Sequence, residues 1–347
     1  MPKPISIRTL KTSILTSLLF LCILWTGCKR RPATPISFYY WKTSYALNKD
    51  QQQLLAQTAG QRLYLRLFDI RWDAVQRRIR PNAVIRIHSS LKSVKVTPVI
   101  FITNATFLHT ELKDVDSLAF KTNRLVSQLS DSAHISYQKV QFDCDWTDDT
   151  REKYFAYLQA FRHYSGRQLE ATIRLHQVKY RERTGIPPVN RGVLMFYNMG
   201  QLSALSNSNS IYNEQDAARY LNRLNTFPLP LDVALPLFSW AIHSRAGHIM
   251  QIYPQITRQD LSDLQRFKPD GEHFRAIISF FMKGVYVREN DIFKLEETDA
   301  QLLKKAATQL SPKLRNLPGR TIIFYELANI NLSQFDASTL GAVADRF

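Results

Sequence analysis

Two aspartates in the segment YQKVQFDCDW (137–146) are the first residues of this sequence that could perform chemistry. Apolar and polar side chains alternate along the segment, so Asp143 and Asp145 should point to the same side of a β-strand. When two carboxyl groups are held close together, each negative charge disfavours ionisation of the other, and their pKa values separate. The pair is therefore suited to general acid–base chemistry or to stabilising a developing positive charge.

Polar side chains near the ends of other apolar segments could complete such a site. Glu326 lies near the end of RTIIFYEL (320–327), and we expect there either a catalytic or ligand-binding carboxylate or a structural ion pair. Arg174 and His176 lie on one face of LEATIRLHQV (169–178) and could hydrogen-bond a sugar or a carboxylate. Arg174 could also neutralise one of the two aspartates within the fold.

Two more polar residues and several aromatic ones stand at similar positions. Asp69 and Asn104 close two further apolar segments, and each either lines the site or caps a loop. An aromatic ring at a strand end can stack on the C–H face of a sugar, although most such rings fill the core. We expect Trp146 and Trp240 to contact a ligand. The other aromatic residues at strand ends are Tyr40, Trp41, Trp72 and Tyr197.

These candidates belong to eight strand-like segments that alternate with amphipathic, helix-like ones. The alternation predicts a parallel sheet with crossover helices, and eight units predict an α/β fold of the (β/α)8 TIM barrel type. Active sites of this fold collect at the C-terminal ends of the strands, where the candidate residues stand. The segments are ISFYYWKTS (36–44), RLYLRLFDIRW (62–72), VKVTPVIFITN (94–104), YQKVQFDCDW (137–146), LEATIRLHQV (169–178), GVLMFYNM (192–199), PLDVALPLFSW (230–240) and RTIIFYEL (320–327).

The predicted barrel spans residues 36–347 and has one long interruption. Roughly 80 residues separate the last two strand-like segments, which is more than a crossover needs. They include strand-like pieces, so we expect a small α+β insertion at about 241–319. One crossover helix is predicted to begin at Asp149, with Glu152 completing a capping box, and to end at Gly166.

Residues 1–27 have the pattern of an export signal. Three cations precede an apolar stretch that is too short to span a membrane comfortably. The stretch ends in LWTGC (24–28), which resembles the signal of bacterial lipoproteins, although Trp25 departs from the usual aliphatic residue. The resemblance implies lipidation of Cys28, a tether over residues 28–35 and a location on the bacterial envelope facing the periplasm or the exterior. A plain signal anchor is the alternative.

The chain is strongly basic, with 46 Lys and Arg against 29 Asp and Glu and a formal charge of +17. Without the three cations of the leader the charge is +14. A basic exported protein favours anionic envelope components or acidic glycans as partners, because Coulomb attraction raises their local concentration. A charge that only maintains solubility is the alternative. The cations are scattered and no binding motif occurs, so no nucleic-acid partner is predicted.

Several other classes of site are not indicated. Cys22 lies in the leader and Cys28 is the predicted lipid carrier, so Cys144 remains as a small core residue. The eight histidines show no HExxH motif or paired ligand spacing, and no metal is predicted. No cofactor is predicted, and the sequence has no phosphate-binding glycine loop, Gly-x-Ser-x-Gly elbow or Cys/His dyad.

Three short motifs resemble those of family 18 chitinases and their relatives. FDCDWT (142–147) is similar to the fourth-strand signature Asp-x-Asp-x-Glu, MFYN (195–198) to the sixth-strand Met-x-Tyr-Asp, and ALPLFS (234–239) to the seventh-strand Gly-x-Pro-x-Tyr-Gly. The motifs stand in the family's order, and many of those enzymes carry an insertion after the seventh strand. More closely, the chain resembles an uncharacterised bacterial lipoprotein family with a glycoside-hydrolase-like barrel.

The resemblance implies a mechanism only where residues match. In that family the acetamido group of the substrate attacks the anomeric carbon, an Asp orients this group, and a Glu protonates the leaving oxygen. Asp145 matches the orienting residue, with Asp143 behind it, and Tyr197 matches a tyrosine that contacts the acetamido group. Asn198 replaces the usual Asp. Thr147 occupies the position of the acid, and a threonine hydroxyl cannot donate a proton at a useful rate near neutral pH.

Two functions follow from these residues. The first is an envelope-anchored lipoprotein whose barrel binds a glycan, N-acetylated or acidic, and hydrolyses it if Glu326 serves as a relocated acid. The second is a non-catalytic glycan-binding or envelope-assembly protein, which Thr147 favours. A third, weaker interpretation is that the insertion carries the binding surface and the barrel is its scaffold.

Overall fold

Eight parallel strands form a closed barrel in the computed structural model, which describes residues 33–58, 61–204 and 206–347. The predicted leader and Cys28 lie outside the described residues. The strands are β1 (Ile36–Tyr40), β2 (Arg62–Asp73), β3 (Lys95–Ile102), β4 (Lys139–Asp143), β5 (Gln168–Arg174), β6 (Arg191–Met195), β7 (Leu231–Pro236) and β8 (Ile322–Tyr325). The sheet closes because β1 pairs with both β2 and β8. The predicted (β/α)8 fold is confirmed.

The barrel strands are apolar because both of their faces are covered. Along β1, Phe38 and Tyr40 pack into the main core outside the barrel, whereas Tyr39 belongs to a smaller cluster inside it. Parallel strands that are buried on both sides read as almost continuous apolar runs. This explains why all eight strand-like segments of the sequence could be recognised.

Helices cover the outside of the barrel, and two of them have 18 residues. Within the described part of the chain, no helix is both long and apolar enough to cross a membrane. The α-helices are Lys49–Gln57, Asn104–Leu108, Val115–Ser132, Asp148–Ser165, Leu175–Lys179, Arg181–Thr184, Glu214–Ala218, Arg258–Leu261, Ala300–Leu310 and Ala337–Ala344. Short 3-10 helices are Leu112–Asp114, Leu221–Thr226, Ser311–Lys313 and Leu327–Asn329.

The helix after β4 begins one residue earlier than predicted, at Asp148. Thr147 is its N-cap, and the backbone N–H of Thr147 donates to the hydroxyl of Thr150 at 2.9 Å. The predicted capping box with Glu152 is wrong. Thr147, with its extended backbone (φ −115°), is the N-cap, so the residue at the third helical position is Thr150 and not Glu152. The predicted end at Gly166 is confirmed, and this glycine has the left-handed φ of +61° that ends many helices.

Strand β2 is longer than the other barrel strands because it continues as one arm of a hairpin. It pairs antiparallel with Arg78–Asn82. The register of β2 against β3 shifts between Arg66 and Phe68. Leu67 and Phe68 therefore both pack into the outer core, and the next residue that faces the interior is Asp69. A separate short parallel pair joins Ser44–Tyr45 to Arg86–Ile87.

The insertion between β7 and β8 is built on a five-stranded antiparallel sheet with its own apolar core. Helix Ala300–Leu310 packs instead on the main core, so it serves as the crossover to β8. The part of the insertion that leaves the barrel thus ends near Glu296. The five strands are Trp240–Arg245, His248–Pro254, Phe267–Asp270, His273–Ala276 and Ile292–Glu296, and a two-stranded hairpin pairs Phe280–Met282 with Val285–Val287.

A polar layer crosses the barrel interior near the N-terminal ends of the strands. Lys139 donates to Glu170 at 2.5 Å and to the hydroxyl of Tyr64 at 2.8 Å. Arg191 donates to Oδ1 of Asp232 at 2.8 Å. Burial, together with the negative charge of Glu170, raises the pKa of Asp232 to about 6. This carboxyl therefore gains its charge within the physiological range.

We expect Asp232→Asn to flatten the pH dependence of stability between about pH 4 and pH 7. A folded pKa of about 6 against an ordinary 3.8 means that the protonated form favours folding below pH 3.8, and that this contribution is lost as pH rises through 6. The difference corresponds to about 3 kcal/mol. Asparagine keeps an acceptor for Arg191 and for the N–H of Thr321, which lies 2.8 Å from Oδ1. Urea denaturation across this pH range should show a free energy of unfolding that declines more steeply with rising pH in the native protein than in the variant. Parallel plots of this free energy against pH would contradict the raised pKa of Asp232.

Candidate functional site

A cleft of about 870 Å³ opens at the C-terminal ends of the barrel strands. Asp143, Arg174, Met195 and Tyr325 are the last residues of β4, β5, β6 and β8, and all four line it. The insertion supplies one wall through residues 254–259, and the loop after β8 supplies another. The volume lies within the range of small-molecule binding sites.

An arginine holds the two aspartates of β4. Nε and Nη2 of Arg174 donate to the two oxygens of Asp145 at 2.5 and 3.2 Å. Nη2 also lies 3.9 Å from Oδ1 of Asp143, which accepts a hydrogen bond from the hydroxyl of Thr172 at 2.7 Å. The side chain of Asp143 is 5% exposed and that of Asp145 is 53% exposed. Among the described residues, no group of three or more His, Cys, Asp or Glu is arranged to hold a metal ion.

The charges of this cluster depend on one another. Burial raises the pKa of Asp143, while the guanidinium of Arg174 and the hydroxyl of Thr172 oppose that shift. Burial would lower the pKa of Arg174, but the carboxylates of Asp143 and Asp145 outweigh it and raise that pKa. Arg174 therefore stays charged, and it compensates a carboxylate that has almost no access to water.

Glu326 follows β8 and lines the same cleft as Asp143. Its Oε2 accepts the backbone N–H of Trp41 at 3.1 Å, and its Oε1 accepts the side-chain amide of Asn329. Burial raises the pKa of Glu326, while these two hydrogen bonds oppose the shift. Glu326 is thus a carboxyl of the cleft that holds its proton more strongly than an exposed glutamate does.

Aromatic rings gather around Tyr325 at the base of the cleft. The centroid of its ring lies 5.7 Å from that of Trp41, 5.8 Å from those of Tyr39 and Tyr197, and 5.9 Å from that of Phe238. The ring of Tyr325 is itself part of the cleft surface. Such a cluster offers apolar faces that suit the C–H surface of a sugar.

Trp240, the first residue of the insertion sheet, adds another ring to the cleft. Its Nε1 donates to Oε2 of Glu296 at 2.7 Å. The other oxygen of that carboxylate accepts a hydrogen bond from Lys294 at 2.6 Å. A buried ion pair of the insertion thus fixes the position of this tryptophan.

Solved structures match the chain along most of its length. The spore cortex-lytic enzyme SleL of Bacillus megaterium QM B1551 aligns with 92% of this chain and 75% of its own, at 12% identity and a TM-score of 0.51. The C-terminal domain of a proposed chitinase from Desulfitobacterium hafniense DCB-2 aligns with 91% of this chain and 99% of its own, at 8% identity and a TM-score of 0.55. The fold that they share with this chain is the (β/α)8 barrel. No protein-family model matches the chain, and no curated protein matches its sequence.

At such low identity the likeness describes the fold, so the chemistry must be read from this chain's own residues. Six of the predicted site residues line the cleft of the barrel: Asp143, Arg174, Tyr197, Asn198, Trp240 and Glu326. Asp145 is joined to them through Arg174. Thr147 does not line the cleft; it is exposed and caps a helix.

The structure contradicts the expectation that Trp146 contacts a ligand. Its side chain is 1% exposed, its Nε1 donates to the carbonyl of Thr184 at 2.8 Å, and its ring packs 5.2 Å from that of Tyr154. The reason is the alternation of the strand, which continues past its end. Trp146 shares the parity of Phe142, and both face the helices.

Three further predicted residues do not line the cleft. His176 does not line the cleft, because β5 ends at Arg174 and the helix that follows turns His176 toward solvent. Asn104 begins a helix and accepts a hydrogen bond from the hydroxyl of Thr150 at 2.6 Å, so it joins two helices. Asp69 is fully buried beneath the cleft surface, where arginines bind it.

Those arginines were not identified from the sequence. Arg66 and Arg71 line the cleft, and their guanidinium groups lie 5.4 Å from the ring centroid of Trp41 and 5.6 Å from that of Phe101. Alternation along the strand places Arg71 on the same face as Asp69. The shift of register that brings Arg66 to this face as well leaves no mark in the sequence. The other lining residues that sequence reasoning missed as site residues include Phe101, Phe238 and Tyr325.

We expect Thr147→Glu to destabilise the protein without creating a hydrolase. The substitution removes an N-cap threonine, which costs about 1 kcal/mol, and Thr147 is outside the cleft where an acid would have to act. Thr147→Ser keeps the capping hydroxyl and is the matched control. Urea denaturation measures the loss of stability, and product analysis on chito-oligosaccharides shows whether cleavage occurs. Cleavage by Thr147→Glu would contradict the placement of Thr147 outside the cleft.

Proposed function

We propose that this barrel binds a glycan in the cleft at the C-terminal ends of its strands. The observation that carries the proposal is the combination of several ring faces and fixed polar groups in one cleft of about 870 Å³. A sugar needs both, because its C–H faces stack on rings while its hydroxyls need hydrogen-bond partners. The likeness of the fold to a spore cortex-lytic enzyme and to a proposed chitinase supports the same class of ligand.

In this proposal, Tyr325 and Trp240 supply ring faces and Arg174 supplies hydrogen-bond donors. Nε and Nη2 of Arg174 are bound to carboxylates, which leaves its Nη1 for a hydroxyl or carbonyl oxygen of the sugar. Asp145 would orient an acetamido group if the resemblance to chitinases carries over. Both of its oxygens are bound to Arg174, so an N-acetyl sugar would have to share them.

Binding without hydrolysis is the form of the proposal that the geometry supports best. A general acid must present a protonated oxygen to the leaving group. Thr147 is not in the cleft, and both oxygens of Glu326 already accept hydrogen bonds, from Trp41 and from Asn329. This pattern fits an ionised acceptor better than a proton donor.

Hydrolysis through Glu326 is the second candidate, and its raised pKa favours it. In that mechanism the protonated carboxyl of Glu326 gives its proton to the glycosidic oxygen as the bond from this oxygen to the anomeric carbon breaks, and the carboxylates of Asp143 and Asp145 stabilise the positive charge at that carbon. The donors of Trp41 and Asn329 would stabilise the glutamate anion at this stage. A water molecule then adds to the anomeric carbon and returns a proton to Glu326.

The two candidates are separated by measuring binding and cleavage on the same samples. Residues 29–347 are titrated with N-acetylated and acidic oligosaccharides in a calorimeter, and the products are then analysed by mass spectrometry. We expect binding without cleavage, both for the native chain and for Glu326→Gln, because glutamine keeps an acceptor for the N–H of Trp41. Cleavage by the native chain that Glu326→Gln abolishes would establish the hydrolase instead. Absence of binding to every glycan would overturn both.

We also propose that the protein is held at a bacterial envelope by a lipid on Cys28. The pattern of residues 1–28 supports this, with cations, a short apolar stretch and a small residue before the cysteine. The mass of the mature N-terminal peptide should show a lipid-modified cysteine, and Cys28→Ala should retain the leader. An unprocessed N-terminus in the native protein would favour a signal anchor.

A further inference from the structure

The hairpin of β2 with Arg78–Asn82 extends one wall of the cleft and is rich in arginine. Side chains alternate along its strands, so Arg71 and its cross-strand partner Arg80 lie on the face that continues the cleft. Trp72 lies on the other face, where it stacks on His109 with centroids 4.2 Å apart. The residues Arg66, Arg71, Arg78 and Arg80 are termed the arginine face.

Within the barrel, one carboxylate serves two members of this face. Asp69 is fully buried, and its two oxygens lie 2.6 Å from Arg66 and 2.8 Å from Arg71. Arg66 also donates to the carbonyl of Trp41 at 2.8 Å, so its position is fixed. A single negative charge is thus shared between two guanidinium groups at the edge of the cleft.

Beyond the barrel, the excess of positive charge continues. Arg71 stands directly opposite Arg80, and like charges at opposed positions destabilise a sheet. Asp73 pairs with Arg80 at 2.8 Å, whereas Nε of Arg78 donates to the uncharged Gln76 at 2.8 Å. Four arginines therefore form ion pairs with only two carboxylates in the described part of the chain, and Arg66 also faces the carboxyl of Glu326. The positive charge that remains in excess is one that an anionic ligand would stabilise.

Arg71 is the member best placed to meet such a ligand. Its Nε and Nη2 bind Asp69 at 3.0 and 2.8 Å, and its Nη1 has no protein partner in the described ranges. The side chain is 46% exposed, and its guanidinium lies over the ring of Phe101. A guanidinium that is held along one edge by a buried carboxylate is pre-organised to bind an anion through its remaining donors.

The wall supplied by the insertion has no comparable excess of charge. Its Arg258 pairs with Glu297 at 2.8 Å, and the neighbouring lining residues Gln255, Thr257 and Gln259 are uncharged. The cleft therefore has an excess of positive charge along the hairpin, whereas the charges of the insertion wall are paired. A ligand that filled it would meet this excess on the hairpin side.

We infer that the glycan bound in this cleft is acidic, and that Arg71 binds its carboxylate. Arg78 and Arg80 then meet the next acidic sugar of the same chain along the hairpin. This inference rests on the proposed glycan-binding function and specifies its substrate class. Carboxylate matches the fork of a guanidinium group, and the attraction between exposed charges weakens as salt is added. A sulfated sugar shares part of this chemistry.

The test compares an acidic oligosaccharide with its own neutral ester. Oligogalacturonate, its methyl ester, chitotetraose and a sulfated oligosaccharide are titrated into residues 29–347 in a calorimeter, at about 50 and about 500 mM salt. We expect the acid to bind about 10-fold more tightly than the ester at low salt, and this ratio to shrink at high salt. Arg71→Gln should lower the affinity for the acid about 10-fold and that for the ester less than twofold.

Two variants control for folding and for net charge. The first is a double variant, Arg78→Gln with Arg80→Gln, which leaves Asp69 and its partners intact. If this variant no longer prefers the acidic oligosaccharide to its ester, a disturbed barrel cannot be the cause. Arg223→Gln removes one cation from an exposed pair with Glu182 outside the cleft and should leave the preference unchanged. Equal binding of acid and ester would overturn the inference and leave glycan binding standing, whereas no binding of any oligosaccharide would overturn both. Equal binding of sulfated and carboxylated sugars would overturn the restriction to carboxylate.

Discussion

Arg174→Met is expected to lower the free energy of unfolding by about 3 to 5 kcal/mol at pH 7. The reason is the carboxylate of Asp143, which is 5% exposed and would keep, among the described residues, only the hydroxyl of Thr172 as a partner. Removing one member of a buried ion pair leaves the other charge uncompensated in a medium that solvates it poorly. Urea denaturation followed by circular dichroism measures the loss.

The loss in this variant should shrink as the solution is acidified. Burial already raises the pKa of Asp143 above its ordinary value of 3.8, and without Arg174 it must rise further. A carboxyl with a raised folded pKa favours folding below its unfolded pKa, and that contribution is lost as pH rises through the folded pKa. The variant should therefore approach the native protein in stability as pH falls toward 4.

A double variant shows whether the charge of Asp143 is the cause. Arg174→Met with Asp143→Asn leaves an amide that still accepts from Thr172 and carries no charge, so most of the stability should return. If the double variant is as unstable as Arg174→Met, or if the loss does not change with pH, Arg174 acts through packing and the electrostatic explanation is wrong.

The fold could be predicted from the sequence because burial on both faces leaves a strong signal in each barrel strand. All eight strand-like segments contain a barrel strand, and the alternation inside β4 correctly placed Asp143 in the interior. These are local consequences of a period of two residues along a strand. They need no knowledge of which segments are neighbours in space.

The site was predicted less completely because its details depend on where each strand stops. The alternation of the sequence predicts that His176 belongs to β5, but that strand ends at Arg174 and a helix begins there. Continued alternation past the end of β4 would have shown that Trp146 faces the helices. Arg66 joined the cleft through the shift of register in β2, which arises from pairing with β3 and leaves no mark in the sequence.

Lys294→Met should lower the free energy of unfolding by a similar amount, about 3 to 5 kcal/mol. The side chains of Lys294 and Glu296 are 5% and 1% exposed, so both charges are removed from water. The ammonium donates to Glu296 and to the carbonyl of Ser208, each at 2.6 Å. Methionine fills much of the same volume but leaves a buried carboxylate without its cation. Urea denaturation again measures the effect.

The same variant should weaken ligand binding, because Glu296 joins the insertion to the cleft. Its Oε2 accepts hydrogen bonds from Nε1 of Trp240 and from the hydroxyl of Ser210 in the loop after β6. An uncompensated carboxylate at Glu296 would move toward water, and this change releases the tryptophan ring from its position. Adding Glu296→Gln removes the charge and keeps an acceptor for Trp240, so stability and binding should both largely return.

An exposed pair of the same chemistry provides the control. Lys113 and Glu111 lie 2.8 Å apart with side chains that are 75% and 70% exposed, and Lys113→Met should cause no measurable loss of stability. If the two lysine variants lose the same amount, burial does not set the strength of the Lys294–Glu296 pair. A large loss of stability for Lys294→Met alone, rescued by Glu296→Gln, would show that the buried charge of Glu296 is the cause. A parallel loss and rescue of ligand binding would show that this pair holds Trp240, the ring that the insertion contributes to the cleft.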